Sequence, residues 1–151
     1  MNDPITPASD PHGTATALAG IPAMRRAVLM DVFATMDAGD LDGMVKHLTD
    51  DVITQFGNHA EIRGKAAFRA LFTEFGQAIS GLRHDILDLW HAVGDFDAWV
   101  VRLSVSYRRL DGRTVILPCC NVFRMRGDLI SEYRVYVDIA PVLHGAAERG
   151  A

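Results

Sequence analysis

Along the chain, apolar residues first recur at a helical spacing and then, past residue 81, fall into long strand-like runs. That switch predicts the fold. Met24, Val28, Val32 and Met36 give a helix over residues 24–38 that closes at Gly39. Asp40 can cap a second helix, in which Leu41, Met44, Val45 and Leu48 stand at i, i+3, i+4 and i+7 and bury one face. Residues 52–56 read as a short strand, Gly57-Asn58-His59 as a turn, and residues 61–63 as the return. A third helix over about residues 65–79 carries the stripe Phe68, Leu71, Phe72, Phe75 and Ile79 before Ser80-Gly81 stops it. Strands follow over residues 82–93, 98–109, 114–126 and 129–139. Their short Gly- and Asp-bearing links are hairpin chemistry and make the strands antiparallel neighbours.

The order predicts an α+β fold: a conical α+β barrel with three N-terminal helices packed on a strongly curved, mainly antiparallel sheet. Strands this long in a small domain must coil, and a coiled sheet with helices on its concave side encloses an interior. Residues 1–22 contain Pro4, Pro7, Pro11 and Pro22, four of the six prolines, and are expected to form a flexible, dispensable lead-in. The folded domain is expected over residues 23–143, with 144–151 as a tail.

With 151 residues, of which 49% are hydrophobic, the chain can bury a core and still hold a cavity. Its net charge of -4 and the lack of any basic stripe argue against nucleic acid as a partner. No apolar run reaches the roughly 18 residues of a membrane span, and no basic region followed by an apolar stretch opens the chain, so a soluble cytoplasmic protein is expected. Cys119 and Cys120 are adjacent, which suits reduced thiols packed as small apolar residues better than a disulfide.

Several stretches carry a resemblance: Met36-Asp37-Ala38-Gly39-Asp40-Leu41-Asp42, Leu48-Thr49-Asp50-Asp51-Val52, Arg63-Gly64-Lys65-Ala66-Ala67, Asn121-Val122-Phe123-Arg124 and Tyr133-Arg134-Val135-Tyr136-Val137-Asp138. In these the chain resembles the nuclear transport factor 2-like superfamily, in particular its SnoaL-like branch, over about residues 24–143. The resemblance implies a conical cavity for an apolar small molecule, catalysis without a cofactor, and dimerisation through the outer face of the sheet. Because this fold hosts isomerases, dehydratases, epoxide hydrolases, cyclases and plain binding proteins, function must be argued from the site.

Polar residues inside apolar runs are the candidates for that site. Asn121 shares a strand face with Val115, Leu117, Cys119, Phe123 and Met125. It matches the position of the hydrogen-bond-donating acid of the ketosteroid isomerases, while Phe56 and Val32 stand where that pattern has its base and its tyrosine. Arg102 and Asp138 match the arginine and one acid of the limonene epoxide hydrolases; Ser104 replaces the other acid. Tyr136 shares a face with Arg134 and Asp138. Arg102, Asn121, Tyr136 and Asp138 are thus expected to line the cavity, and Asn58 and His59 to stand at its mouth. Resemblance to scytalone dehydratase pairs His84, at the start of the first long strand, with Asp37, at the end of the first helix. A carboxylate orienting an imidazole makes a general base suited to proton abstraction beside a carbonyl. His91 lies on a strand too mixed in pattern to assign a face; His12, His47 and His144 read as peripheral. No spacing suggests a metal site.

The expected function is a cofactor-free lyase or isomerase acting on a small, largely apolar molecule, with Asp37, His84 and Asp138 as the catalytic candidates and a homodimer as the assembly. The alternative is a non-catalytic protein whose cone sequesters such a molecule.

Overall fold

The computed structural model describes residues 12–92 and 97–144, with side chains from residue 22 onward. The chain runs through α1 (His12–Asp37), α2 (Leu41–Val45), β1 (Leu48–Phe56), β2 (Ile62–Arg63), α3 (Lys65–Gln77), β3 (Ile79–Ala92), β4 (Ala98–Arg109), β5 (Thr114–Arg126), β6 (Leu129–Tyr136) and α4 (Ala140–Leu143). The strands form one curved, unclosed six-stranded sheet in the order β2-β1-β6-β5-β4-β3. Every pairing is antiparallel except β1 beside β6. The last four strands are a meander, as the short links require.

Alternation on β4 sets the two faces of the sheet. Trp99, Val101, Leu103, Val105 and Tyr107 are buried, and the residues between them are more open to solvent. Against this concave side α1 packs Leu29, Val32 and Phe33, and α3 packs Phe68. Phe123 of β5 joins helix to sheet: its ring stacks on Tyr133 at 4.8 Å and meets Phe33 edge-on at 5.9 Å.

Several boundaries differ from the sequence expectation. Helix α1 begins at His12 rather than Met24 and continues through Pro22. Ala15, Ala17, Leu18 and Ala19 are strong helix formers, and Pro22 removes a single N–H without ending the helix. The part of the expected lead-in over residues 12–22 is therefore helical; residues 1–11, the expected link at 93–96 and the expected tail from 145 lie outside the described residues. The buried stripe of α1 falls on Leu29, Val32 and Phe33, and Met24 is exposed. Helix α2 stops at Val45, and Leu48 is the first residue of β1 instead. Strand β6 stops at Tyr136, after which Asp138 accepts a hydrogen bond from the Ala140 N–H at 3.1 Å at the start of α4.

Candidate active site

The end of α1 is built by a glycine. Gly39 adopts φ +68, a left-handed conformation that closes the helix, and the Gly39 and Asp40 N–H groups donate back to the Met36 and Thr35 carbonyls at 3.0 and 2.8 Å. Asp37 thereby sits in the last turn, beside β3, which is an edge strand of the sheet. Edge strands leave N–H groups without strand partners. The His84 N–H donates to both Asp37 carboxylate oxygens, at 3.0 and 3.2 Å. The His84 ring completes the contact, with Nδ1 2.6 Å from Asp37 Oδ1. A carboxylate accepts only, so Nδ1 carries the proton and Nε2 keeps its lone pair. The pair anticipated from sequence is thus assembled although 47 residues separate its members.

The ring packs against Phe33 at 5.1 Å, and the His84 side chain is 6% exposed while that of Asp37 is 30% exposed. Burial pulls the His84 imidazole below its ordinary range, outweighing Asp37, whose hydrogen bond and charge pull it upward. Neutral imidazole therefore persists below the pH at which an exposed histidine protonates.

Beside this pair opens a cavity of about 460 Å³, within the usual size range for small-molecule sites. Its wall is mostly apolar, with Met36, Leu41, Met44, Phe72, Phe75 and Leu82 prominent; Asp37 lies at its edge. The wall follows β3 from Ile79 to Leu82, so His84 stands just beyond it.

Behind Met36 lies a buried polar string. Cys119 Sγ donates to Asn121 Oδ1 at 3.2 Å, Asn121 Nδ2 donates to the Tyr133 hydroxyl at 3.3 Å, and that hydroxyl donates to Met36 Sδ at 3.6 Å. Burial raises the Tyr133 phenol well above its ordinary range and pushes the Cys119 thiol up to about 12, so both are neutral donors at physiological pH. Asn121, expected in the cavity wall, is buried on the concave side behind Met36, where it serves as a link in this string and does not itself line the cavity.

The other expected wall residues lie elsewhere, and the period-2 register says why. Arg102 pairs with Cys120 and Cys120 with Tyr136, whereas Asn121 pairs with Val101 and Val135. Arg102 and Tyr136 therefore stand on the outer face, opposite Asn121. Arg102 makes an ion pair with Asp88, with Nε 2.6 Å from the carboxylate, and Tyr136 is exposed. Asp138 lies past the end of β6, where its carboxylate accepts from the Ala140 N–H. Arg102, Tyr136 and Asp138 thus do not line the cavity. Asn58 and His59 are exposed in the turn after β1, and neither reaches the wall; His59 touches Phe56, which packs in turn on Phe72 and Phe75. His91 faces inward, stacked on Trp99 at 4.2 Å with Nε2 2.6 Å from Asp97.

Sequence reasoning missed Tyr133 and Met36. The signal for Tyr133 is the one that picks out Asn121: a polar group on the apolar face that it shares with Val135. Among the described residues, no three His, Cys, Asp or Glu side chains are grouped to hold a metal ion, and no helix is long and apolar enough to cross a membrane.

Comparison with known proteins places this site in context. A model of the SnoaL-like domain matches residues 29–133. No curated protein matches. Among solved structures, a nuclear transport factor 2-like protein of unknown function from Burkholderia pseudomallei superposes with a TM-score of 0.72 at 14% identity, covering 81% of this chain and 98% of that one. A polyketide cyclase candidate from Xanthomonas campestris gives 0.62 at 18% identity, with 80% and 95% covered. An LEH-like epoxide hydrolase from M. tuberculosis gives 0.65 at 19% identity, with 80% and 90% covered. At these identities the structures share the fold, while the domain match extends over more than half of the sequence. The chain belongs to the SnoaL-like family of the nuclear transport factor 2-like superfamily.

Proposed function

We propose that the protein is a cofactor-free lyase or isomerase that abstracts a proton next to a carbonyl of a small, largely apolar molecule, with His84 as base and Asp37 as its orienting partner. The observation that carries this reading is the 2.6 Å contact between His84 Nδ1 and Asp37 Oδ1 at the edge of an apolar cavity. The carboxylate fixes the tautomer that leaves Nε2 as a base, and the apolar wall selects the ligand. The structural neighbours named for cyclase and epoxide hydrolase activity are consistent with chemistry of this kind on this fold. A suitable probe is 2-tetralone, a bicyclic ketone with acidic C–H bonds at C1. Exchange of those protons in deuterium oxide, followed by NMR, should run well above the buffer rate with the protein present and match it if the reading is wrong.

A second reading, a binding protein without catalysis, is favoured by the depth of the His84 ring, which lies just outside the cavity wall. It predicts that 2-tetralone binds but exchanges no faster than in buffer.

The pH dependence has a defined sign. A base must be neutral to act, so the rate should be full near pH 7 and fall on acidification, with its midpoint below 6.5, the ordinary histidine value. Asp37→Asn removes the hydrogen bond and the charge that do most to raise the imidazole, leaving only the charge of Asp85, so the midpoint should move lower still while the plateau rate drops. An upward move would contradict the assignment of Asp37.

We also propose that two copies pair through the outer face of the sheet, where Trp90, Ile116 and Tyr136 are exposed beside Val100, Cys120 and Val122. Sedimentation velocity at micromolar concentration should show a dimer for the wild type and a monomer for Val122→Glu. A wild-type monomer would refute the pairing.

A further inference from the structure

The buried string from Cys119 to Met36 has a direction. Each donor points toward the cavity: thiol to Asn121, amide to Tyr133, phenol to Met36. The last acceptor is a thioether sulfur at 3.6 Å, among the weakest acceptors a side chain offers. A fully buried hydroxyl, held in place by an asparagine, therefore ends on a poor partner that is itself part of the cavity wall. Methionine is unbranched and changes rotamer readily.

We propose that Tyr133 is the hydrogen-bond donor to a carbonyl oxygen of the cavity's ligand, which takes the place of the Met36 sulfur when that side chain turns aside. This rests on the reading of the cavity as the reaction site and adds the ligand's second point of attachment. Met36, the partner of Tyr133, and Asp37, the partner of His84, are consecutive residues of α1 and both border the cavity. One ligand lying across this turn meets both groups. Its C–H bond breaks toward His84 Nε2, the electron pair passes to the carbonyl oxygen, and the Tyr133 hydroxyl stabilises the enolate charge without giving up its proton. Three ring contacts connect the two ends: His84 on Phe33 at 5.1 Å, Phe33 on Phe123 at 5.9 Å, and Phe123 on Tyr133 at 4.8 Å. The ligand class is an apolar, ring-bearing ketone. A hydrocarbon of the same shape fills the cavity but leaves the hydroxyl on sulfur.

The test compares 2-tetralone with tetralin, its analogue without the carbonyl, by equilibrium binding to the full chain, together with the C1–H exchange rate. In Tyr133→Phe, which keeps the ring, 2-tetralone should bind about tenfold more weakly, the share of one hydrogen bond, with tetralin unchanged. Exchange at saturating ketone should fall about 10²- to 10³-fold, as for loss of one oxyanion donor. Met36→Leu removes the competing sulfur, so 2-tetralone should bind more tightly relative to tetralin. If both ligands bind the wild type and neither variant changes their affinity ratio, the role of Tyr133 is overturned while the cavity reading stands. If neither ligand binds the wild type, the cavity reading fails and this inference with it.

Discussion

Replacing His84 with alanine should lower the protein-catalysed exchange of 2-tetralone C1 protons by about two to four orders of magnitude, the usual share of a positioned general base. The fold should survive, because the backbone N–H of residue 84 still donates to both oxygens of Asp37. Nearly unchanged exchange, in a variant whose circular dichroism matches the wild type, would move the base elsewhere. The outer-face pair of Arg102 and Asp88 gives a matched control: it lies across the sheet from the cavity, so Arg102→Gln should leave the exchange rate within about twofold of wild type.

The largest effect on stability is expected at Phe123. The residue is fully buried and holds α1 to the sheet through its contacts with Phe33 and Tyr133. Phe123→Ala removes a large buried ring and leaves a cavity, which costs about 3–5 kcal/mol. For a domain of this size that corresponds to a fall in Tm of roughly 6–20 °C, measurable by calorimetry. The substitution should also loosen Phe33, the ring against His84. A fall of only a degree or two would mean that the surrounding rings collapse into the space and that the helix–sheet joint does not depend on this side chain.

The strands were legible because hairpin chemistry is local. β4 and β5 run over residues 98–109 and 114–126 as their alternation and turn residues predict. Boundaries shifted where tertiary packing overrode a local signal. Leu48 fits the apolar spacing of α2, yet it is the first residue of β1, fully buried opposite Ile130. The candidate site divides along the same line. Asp37 could be matched because it ends α1, and such ends keep their place in a fold; His84 was matched as the opening of the first long strand, although β3 begins earlier, at Ile79. Arg102 and Tyr136 were misplaced because a residue is assigned to the inner or outer face by parity alone, so an arginine among valines reads equally well as a cavity residue or a surface one. Asp138 was carried inward together with Tyr136, whose face it would share if β6 continued to residue 139; Tyr136 faces outward, and β6 ends there. The link from Tyr133 to Met36 spans 97 residues and depends on how α1 lies across β6, which no local pattern encodes.

The proposed mechanism requires that the imidazole held by Asp37 is the group that takes the substrate proton. Its most direct test is to titrate His84 by NMR in protein carrying ¹⁵N-labelled histidine and to set that curve beside the pH profile of 2-tetralone exchange. The two midpoints should coincide, both below the ordinary histidine value of 6.5, and both should move lower together in Asp37→Asn. An exchange rate that stays constant while His84 gains its proton would contradict the account.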